Sequence, residues 1–490
     1  MSRDIIPSLV LFGLASAVPA QADDTLPPVP ASEKWRDQRP QLGPANPPQL
    51  PTFEKTVLPN GLTIYVATER ALPLVSYRLV VKGGSTQDPD GQGGLTNLTY
   101  GMLQEGTQDL DVLAFSDRVA DLGASFGGQA GRDQGSLEIS GLRRHADVML
   151  GLLADALLRP RMAEADFERL KGKTLANLSR QRASPQGLAF EYIPQMIYGA
   201  DHPYGHPVNG TIETIAKLTL AEVKAQYRRL FAPRHTALIA VGDVDLNAVR
   251  SAAQKLLGDW SATGEDLRPI PAVDAKPRRR MLVVNKPRTP QTFTLMGRPM
   301  FARGHPDETR VWLANSVFGG TFGSRLNMNL REGKGYTYGA NSVVSFRTGT
   351  GALIAYAALR QDATAPGLAE MFSELKGLNT RPPNPEEVAD AKTGRIRSLT
   401  GQFQSLGAST GAASALFVYD LPLDYFSQLP GKYDAVSLDH VQAAARKYFQ
   451  PDVMAVLMIG DAPAILPALK KAGLGPIEVV EPPNPRPQGR

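Results

Sequence analysis

No cysteine occurs anywhere in the 490 residues. That excludes disulfides, a thiolate nucleophile, a lipid-modified cysteine and a cysteine zinc site. Histidine is scarce as well, with six in the whole chain. His202 and His206 stand four apart in DHPYGHPVNG, but Pro203 and Pro207 rule out the continuous helix that would bring both imidazoles to one metal. His145, His235, His305 and His440 are dispersed and read as surface or packing residues. After the first residues, no segment approaches the ~20 consecutive apolar residues of a membrane helix. The formal charge is only +5, from 53 Lys and Arg against 48 Asp and Glu. The one dense basic run, Lys276 to Arg280, lies among prolines and reads as a solvated linker, so nucleic-acid binding has no support.

What is present begins with an export pattern. Met1 to Ala22 carries an apolar stretch, Leu9 to Leu14, and ends in Ala20-Gln21-Ala22, the small-x-small pattern of signal peptidase. Residues 1–22 are therefore read as a signal peptide and the mature protein as periplasmic or secreted. Residues 23–51, rich in proline and polar side chains, are read as an extended leader, and residues 481–490 as a similar tail. With 42% hydrophobic residues, the remainder can build more than one core.

An internal repeat organises that remainder. LTLAEVKAQYRRLFAPRHTALIAVGD from Leu218 aligns without a gap to VSLDHVQAAARKYFQPDVMAVLMIGD from Val436. Each copy has an N-cap (Thr219 or Ser437), an amphipathic helix, a proline that stops it (Pro233 or Pro451), and an apolar strand ending in Gly-Asp. Each copy closes a half, giving halves at 52–261 and 279–480 with a linker at 262–278. Alternation predicts strands at Leu62–Glu69 and Val75–Ser85, and apolar spacing predicts helices at Val112–Leu122 and Ala146–Leu158. Interleaved helices and closely spaced strands predict an α+β fold with largely antiparallel sheets, helices on one face, and four α/β sandwich units, two per half.

Two segments carry a family resemblance. GGLTNLTYGMLQEGT (Gly93 to Thr107), following LPNGLTIYV (Leu58 to Val66), resembles the opening of the pitrilysin/insulinase metallopeptidases, and the resemblance continues through both halves. In that family the helix carries an inverted zinc motif, H-x-x-E-H, with a further glutamate about 75 residues downstream. Histidines one and five face one side of the helix to hold the metal, and the glutamate activates its water. Here the matching positions are Asn97, Tyr100 and Gly101, and the downstream glutamate aligns with Asn177. Glycine offers no ligand, a neutral tyrosine is a poor ligand and base, and asparagine offers a weak carbonyl. The resemblance therefore implies no metal in this chain, with zinc expected in a partner subunit.

VFGGTFGSRLNMNLREGKGYTYGANS (Val317 to Ser342) is similar to the family's C-terminal signature. The resemblance implies that Arg331 and Tyr338 bind substrate backbone and stabilise the oxyanion at the zinc site. An isolated pair at this spacing would read as a local ion pair, Arg331 with Glu332, and a strand-packing tyrosine. Inside a matching segment of this length, the family role is the reading adopted. Two decoys fall away: Gly319 to Gly323 lack the Lys-Ser/Thr of a phosphate loop, and Ser409 in GASTG lies in a small-residue helical run with no preceding apolar strand.

The expected function is thus the zinc-free subunit of a heterodimeric peptidase, forming half of a clam-shell chamber and inactive alone. The alternative is a non-catalytic scaffold or peptide-binding protein similar to respiratory-complex core proteins. Where the family often has Asn-Ala on the substrate-binding edge strand, GASFGGQAGRD places Gly127 and Gly128, which implies that the partner holds the peptide.

Overall fold

The computed structural model describes residues 31–37, 50–273 and 279–482. The signal-peptide reading of Met1 to Ala22, the core of the linker and the last eight residues lie outside them. Within the leader, Ala31–Asp37 form a 3₁₀ helix where an extended chain was expected.

The strands fall into two six-stranded sheets, one on each side of the linker. The first comprises β1 (Glu54–Val57), β2 (Thr63–Thr68), β3 (Leu74–Lys82), β4 (Ser125–Ala130), β5 (Gln134–Leu142) and β6 (Thr236–Gly242), in the order β1-β2-β6-β3-β5-β4. The second comprises β7 (Arg280–Asn285), β8 (Gln291–Pro299), β9 (Thr337–Ser345), β10 (Ala352–Arg360), β11 (Ala455–Gly460) and β12 (Ile477–Val480), in the order β12-β7-β11-β8-β10-β9. The repeat explains this correspondence: β6 and β11 are its two apolar strands, and each lies centrally beside a parallel neighbour, β2 or β7. Most other pairings are antiparallel. The fold is α+β with two homologous halves, as expected, but each half is one sheet unit; the anticipated pair of sandwich units per half is not formed.

The N-terminal chemistry of the repeat helices is also shared. Thr219 accepts from Glu222 N while Glu222 returns to Thr219 N, starting the helix Leu220–Leu230. Ser437 and His440 make the same reciprocal box at the start of Leu438–Tyr448.

Both faces of each sheet are covered, where helices on one face were expected. The cause is an exchange. The helix Pro185–Tyr198 of the first half lies on β8 and β11 of the second, burying Leu188, Ile193 and Ile197 against Leu295, Leu457 and Ile459. Reciprocally, Leu406–Val418 of the second half lies on β3 and β6, where Leu416 and Phe417 join Tyr65, Val80 and Ile239. β6 is consequently buried at every residue, as a strand covered on both faces must be. Only β4 and β9 end each sheet on the side where the candidate residues lie.

Candidate functional site

The helix Leu95–Met102 presents the three residues of the altered zinc motif. It starts because Asp88, buried beneath it, accepts from Gly94 N (2.8 Å) and Thr96 N (2.7 Å). Tyr100 is 1% exposed; its ring lies 5.1 Å from that of Phe231 and fills the space over Gly135, where a β-carbon would come within 2.1 Å of it. Burial pushes its hydroxyl well above the ordinary phenol range, and that oxygen has no hydrogen-bond partner. A neutral, enclosed phenol cannot take the water-activating role of a carboxylate. At Gly101 a β-carbon would meet Leu170 Cδ2 at 2.7 Å, so a side chain there would have to displace the end of Leu170 from the neighbouring helix Glu164–Arg182.

Asn177 lies two turns beyond Leu170 on that second helix and accepts a hydrogen bond from Arg180. No hydrogen bond joins it to Asn97 among the described residues. The donor set at the four positions does not fit zinc: it offers two amides, one masked phenol and no carboxylate or imidazole. Among the described residues, no three His, Asp or Glu side chains gather in a metal-holding cluster. His202 is held by the main chain instead, with Nε2 3.0 Å from Pro271 O and Nδ1 accepting from Tyr204 N. Ser409, the hydrolase decoy, is buried inside the helix Leu406–Val418.

The second half presents Arg331 and Tyr338 differently. Arg331 sits in a π-helical turn, Met328–Gly333, anchored from below by the fully buried Leu326 and Leu330. Asn329 fixes the turn by donating to Glu374 (2.7 Å) and Glu370 (3.0 Å) of the helix Thr364–Thr380. The Arg331 guanidinium lies 3.3 Å from Glu332 and 4.7 Å from the ring of Phe322, itself 67% exposed. The local ion pair with Glu332 therefore forms, yet it leaves the guanidinium at the surface. Tyr338 does not pack: it is 91% exposed. It stands at an irregularity in β9, where Thr337 pairs with Leu359 and Ala340 with Ala357, so that Tyr338 and Gly339 together oppose a single residue. Such a bulge re-aims a side chain at a sheet edge.

Sequence reasoning missed a further feature of both edges. In β4, Gln104 Nε2 donates to Gly128 O (3.0 Å) while Gln104 Oε1 accepts from Gly128 N (3.0 Å). In β9, Asn327 Oδ1 accepts from Ala340 N (3.1 Å) and Asn315 Nδ2 donates to Ser342 O (3.3 Å). Side-chain amides thus take up, on each terminal strand, main-chain groups that an added strand would need. The signal was an amide residue at or just past a helix end (Gln104, Asn315, Asn327), which a sequence alone cannot pair with a strand. Gly127 is open, whereas a β-carbon at Gly128 would strike Leu137 Cδ2 at 2.4 Å; only the second glycine is demanded by packing.

Comparison with known proteins agrees with this geometry. Residues 65–211 match the family model described as insulinase (peptidase family M16), and residues 217–395 match the peptidase M16 inactive domain. An uncharacterized zinc protease of Streptomyces coelicolor is 24% identical over 318 residues, 63% of this chain and 68% of that protein. The non-peptidase homolog YmxG of Helicobacter pylori is 22% identical over 371 residues, 76% of this chain and 85% of the homolog. Among solved structures, a peptidase M16 inactive domain from Pseudomonas fluorescens superposes with a TM-score of 0.78 at 27% identity, covering 83% of this chain and 97% of that one. A protease from Helicobacter pylori gives 0.77 at 18% identity, covering 84% and 100%.

Proposed function

The chain belongs to the insulinase family of peptidases, family M16, and from that premise we propose that it is the zinc-free subunit of a two-chain peptidase. Its contribution is Arg331 and Tyr338, presented to a partner of the same family that carries an intact H-x-x-E-H helix. One observation carries this reading. Tyr338 is 91% exposed at a re-aimed edge position and Arg331 lies seven residues before it at the surface, while the zinc-motif positions hold an asparagine, a buried phenol and a glycine. An exposed tyrosine and a surface guanidinium are donors suited to a carbonyl oxygen gaining negative charge in peptide-bond hydrolysis, and one such donor contributes ~2.7–4 kcal/mol of barrier lowering. The capped β4 and β9 edges support leaving the peptide on the partner's strand. Alone, the chain is inactive. We place it in the periplasm or outside the cell, following the export pattern of its first 22 residues.

The test is reconstitution with a zinc-bearing family member copurified from the native periplasm. Cleavage by the pair should exceed that of the partner alone, and Arg331→Ala or Tyr338→Phe should lower the pair's rate. A partner as fast without this chain, or variants without effect, would sink the reading. The second reading, a non-catalytic scaffold or peptide-binding protein, draws support from the amide-capped edges and from the similarity to a protein described as a non-peptidase homolog. It predicts no cleavage in any mixture.

A further inference from the structure

A cavity of about 300 Å³ opens where the exchanged helix Pro185–Tyr198 meets the second sheet, and neither Arg331 nor Tyr338 lines it. Its walls are largely apolar, with Leu178, Ile193 and Ile197 from the first half and Ile354 from β10. Two arginines, Arg132 and Arg347, also line it.

Their charges are poorly balanced. Arg132 donates only to main-chain oxygens, those of Tyr204 and His206, both at 3.0 Å. Arg347 lies over the rings of Tyr204 (4.9 Å) and Tyr198 (5.3 Å), and its buried Nη1 has no hydrogen-bond partner. Among the described residues neither guanidinium forms an ion pair with a carboxylate. Glu191, on the rim, is already bonded twice to Arg182 (2.7 and 2.8 Å). Asp133, whose field reaches Arg132, accepts instead from Tyr204 Oη, Thr348 N and Tyr419 Oη. Burial and the neighbouring Arg347 bring the Arg132 guanidinium down to about 10, a sign that positive charge is crowded here. A second polar group is stranded in the same wall: Tyr198 is 7% exposed and its hydroxyl has no partner. A guanidinium without an acidic partner costs stability in an apolar setting, and two in one cavity wall leave positive charge that an anionic ligand would balance.

We propose that this cavity binds one carboxylate attached to a compact apolar group, the chemistry shared by the C-terminal residue of a peptide and by a short fatty acid. The guanidiniums of Arg347 and Arg132 suit a carboxylate's oxygens, while the isoleucines and Leu178 receive the apolar group. The volume is at the lower end for ligand sites and limits the occupant to about one residue or a short acyl chain.

The experiment is calorimetric titration of the full chain with N-acetyl-leucine, N-acetyl-leucinamide and octanoate. N-acetyl-leucine should bind saturably with one site per chain, and the uncharged amide should bind about tenfold more weakly or worse. Tighter binding of octanoate would identify the source as a fatty acid, and tighter binding of N-acetyl-leucine a peptide C-terminus; either supports the site. Arg347→Gln should abolish binding. Should that variant not fold, Val208→Trp, which fills the cavity from a half-buried loop position and leaves both arginines in place, decides the matter. The proposal is overturned if neither acid binds saturably, if acid and amide bind alike, or if folded Val208→Trp binds as the parent does.

Discussion

Leu170 packs on Gly101, its Cδ2 lying 2.7 Å from where a β-carbon would be, so a side chain there would have to turn Leu170 aside. The altered motif lacks zinc ligands by residue identity, and the buried ring of Tyr100 fits the surrounding packing to the residues present. Replacing the three motif residues together (Asn97→His, Tyr100→Glu, Gly101→His) should not restore a metal. The change removes a fully buried aromatic ring from the contact with Phe231, places a carboxylate there, and drives an imidazole against Leu170. Large-to-small loss of a buried aromatic costs about 3 kcal/mol or more. Metal analysis should find no stoichiometric zinc, and thermal unfolding should show a clearly lowered midpoint. One zinc per chain at an unchanged midpoint would contradict this account.

Gln104 closes the β4 edge by bonding both main-chain groups of Gly128, and it also donates to Tyr100 O (2.9 Å). Gln104→Ala should destabilise the protein by about 1–3 kcal/mol, because the groups at Gly128 lose their partners. The Gly128 amide should exchange with solvent faster in the variant, and an extended peptide should bind where none binds the parent. Unchanged exchange at Gly128 would show that the edge is protected by something other than Gln104.

How much of this was legible beforehand depends on the range of the interaction. The N-caps Thr219 and Ser437, the helices from Val112 and Ala146, and the strands around Ile64 and Leu79 obey local rules of period and cap, and they form within three residues of expectation. The α+β class with two homologous halves follows from the repeat. The division of each half into two units misjudged the fold, because strands far apart in sequence, such as β2 and β6, join one sheet. The exchange of the helices Pro185–Tyr198 and Leu406–Val418 between halves was hidden for the same reason: their apolar faces say that they are covered, not by which sheet. At the candidate site, the family resemblance pointed to Asn97, Tyr100, Gly101, Arg331 and Tyr338. It could not reveal Leu170 behind Gly101, the bulge that turns Tyr338 outward, or the amides on β4 and β9, all of which are contacts across tens of residues or more.

Asp133 ties the two halves through polar contacts. Its carboxylate, buried at the β4–β5 turn, accepts from Tyr204 Oη (2.5 Å) and from Thr348 N (3.0 Å) in the β9–β10 turn, and Gly349 N donates to Tyr204 Oη (3.1 Å). Asp133→Ala leaves the Tyr204 hydroxyl, buried, and the Thr348 amide, at the surface, without this acceptor, so it should cost about 1–3 kcal/mol in urea unfolding. Asp133→Asn, which retains one carbonyl oxygen, should cost less. Equal stability of Asp133→Ala and the parent would remove this cluster from any account of how the halves are joined.

Arg182 gives a pH signature of its own. It is 3% exposed and is bonded by the carboxylates of Glu191 (2.7 Å) and Glu213 (2.6 Å). Hydrogen bonding from Arg182 holds the Glu213 carboxyl down at about 2, below its ordinary 4.5. A carboxyl whose folded value is depressed stabilises the fold fully above the unfolded value and loses that contribution as pH falls toward the folded one. Half of the Glu213 side chain is exposed, so water screens the pair and the contribution is about 1 kcal/mol. Glu213→Gln should therefore be less stable than the parent from neutral pH down to about 4.5, and the difference should shrink steadily between 4.5 and 2 as the parent's carboxylate takes up its proton. Urea unfolding of both proteins at a series of pH values measures it. A difference that stays constant from pH 6 to 3 would mean that Glu213 is not held by Arg182 in solution, and that Glu191 alone balances the buried guanidinium.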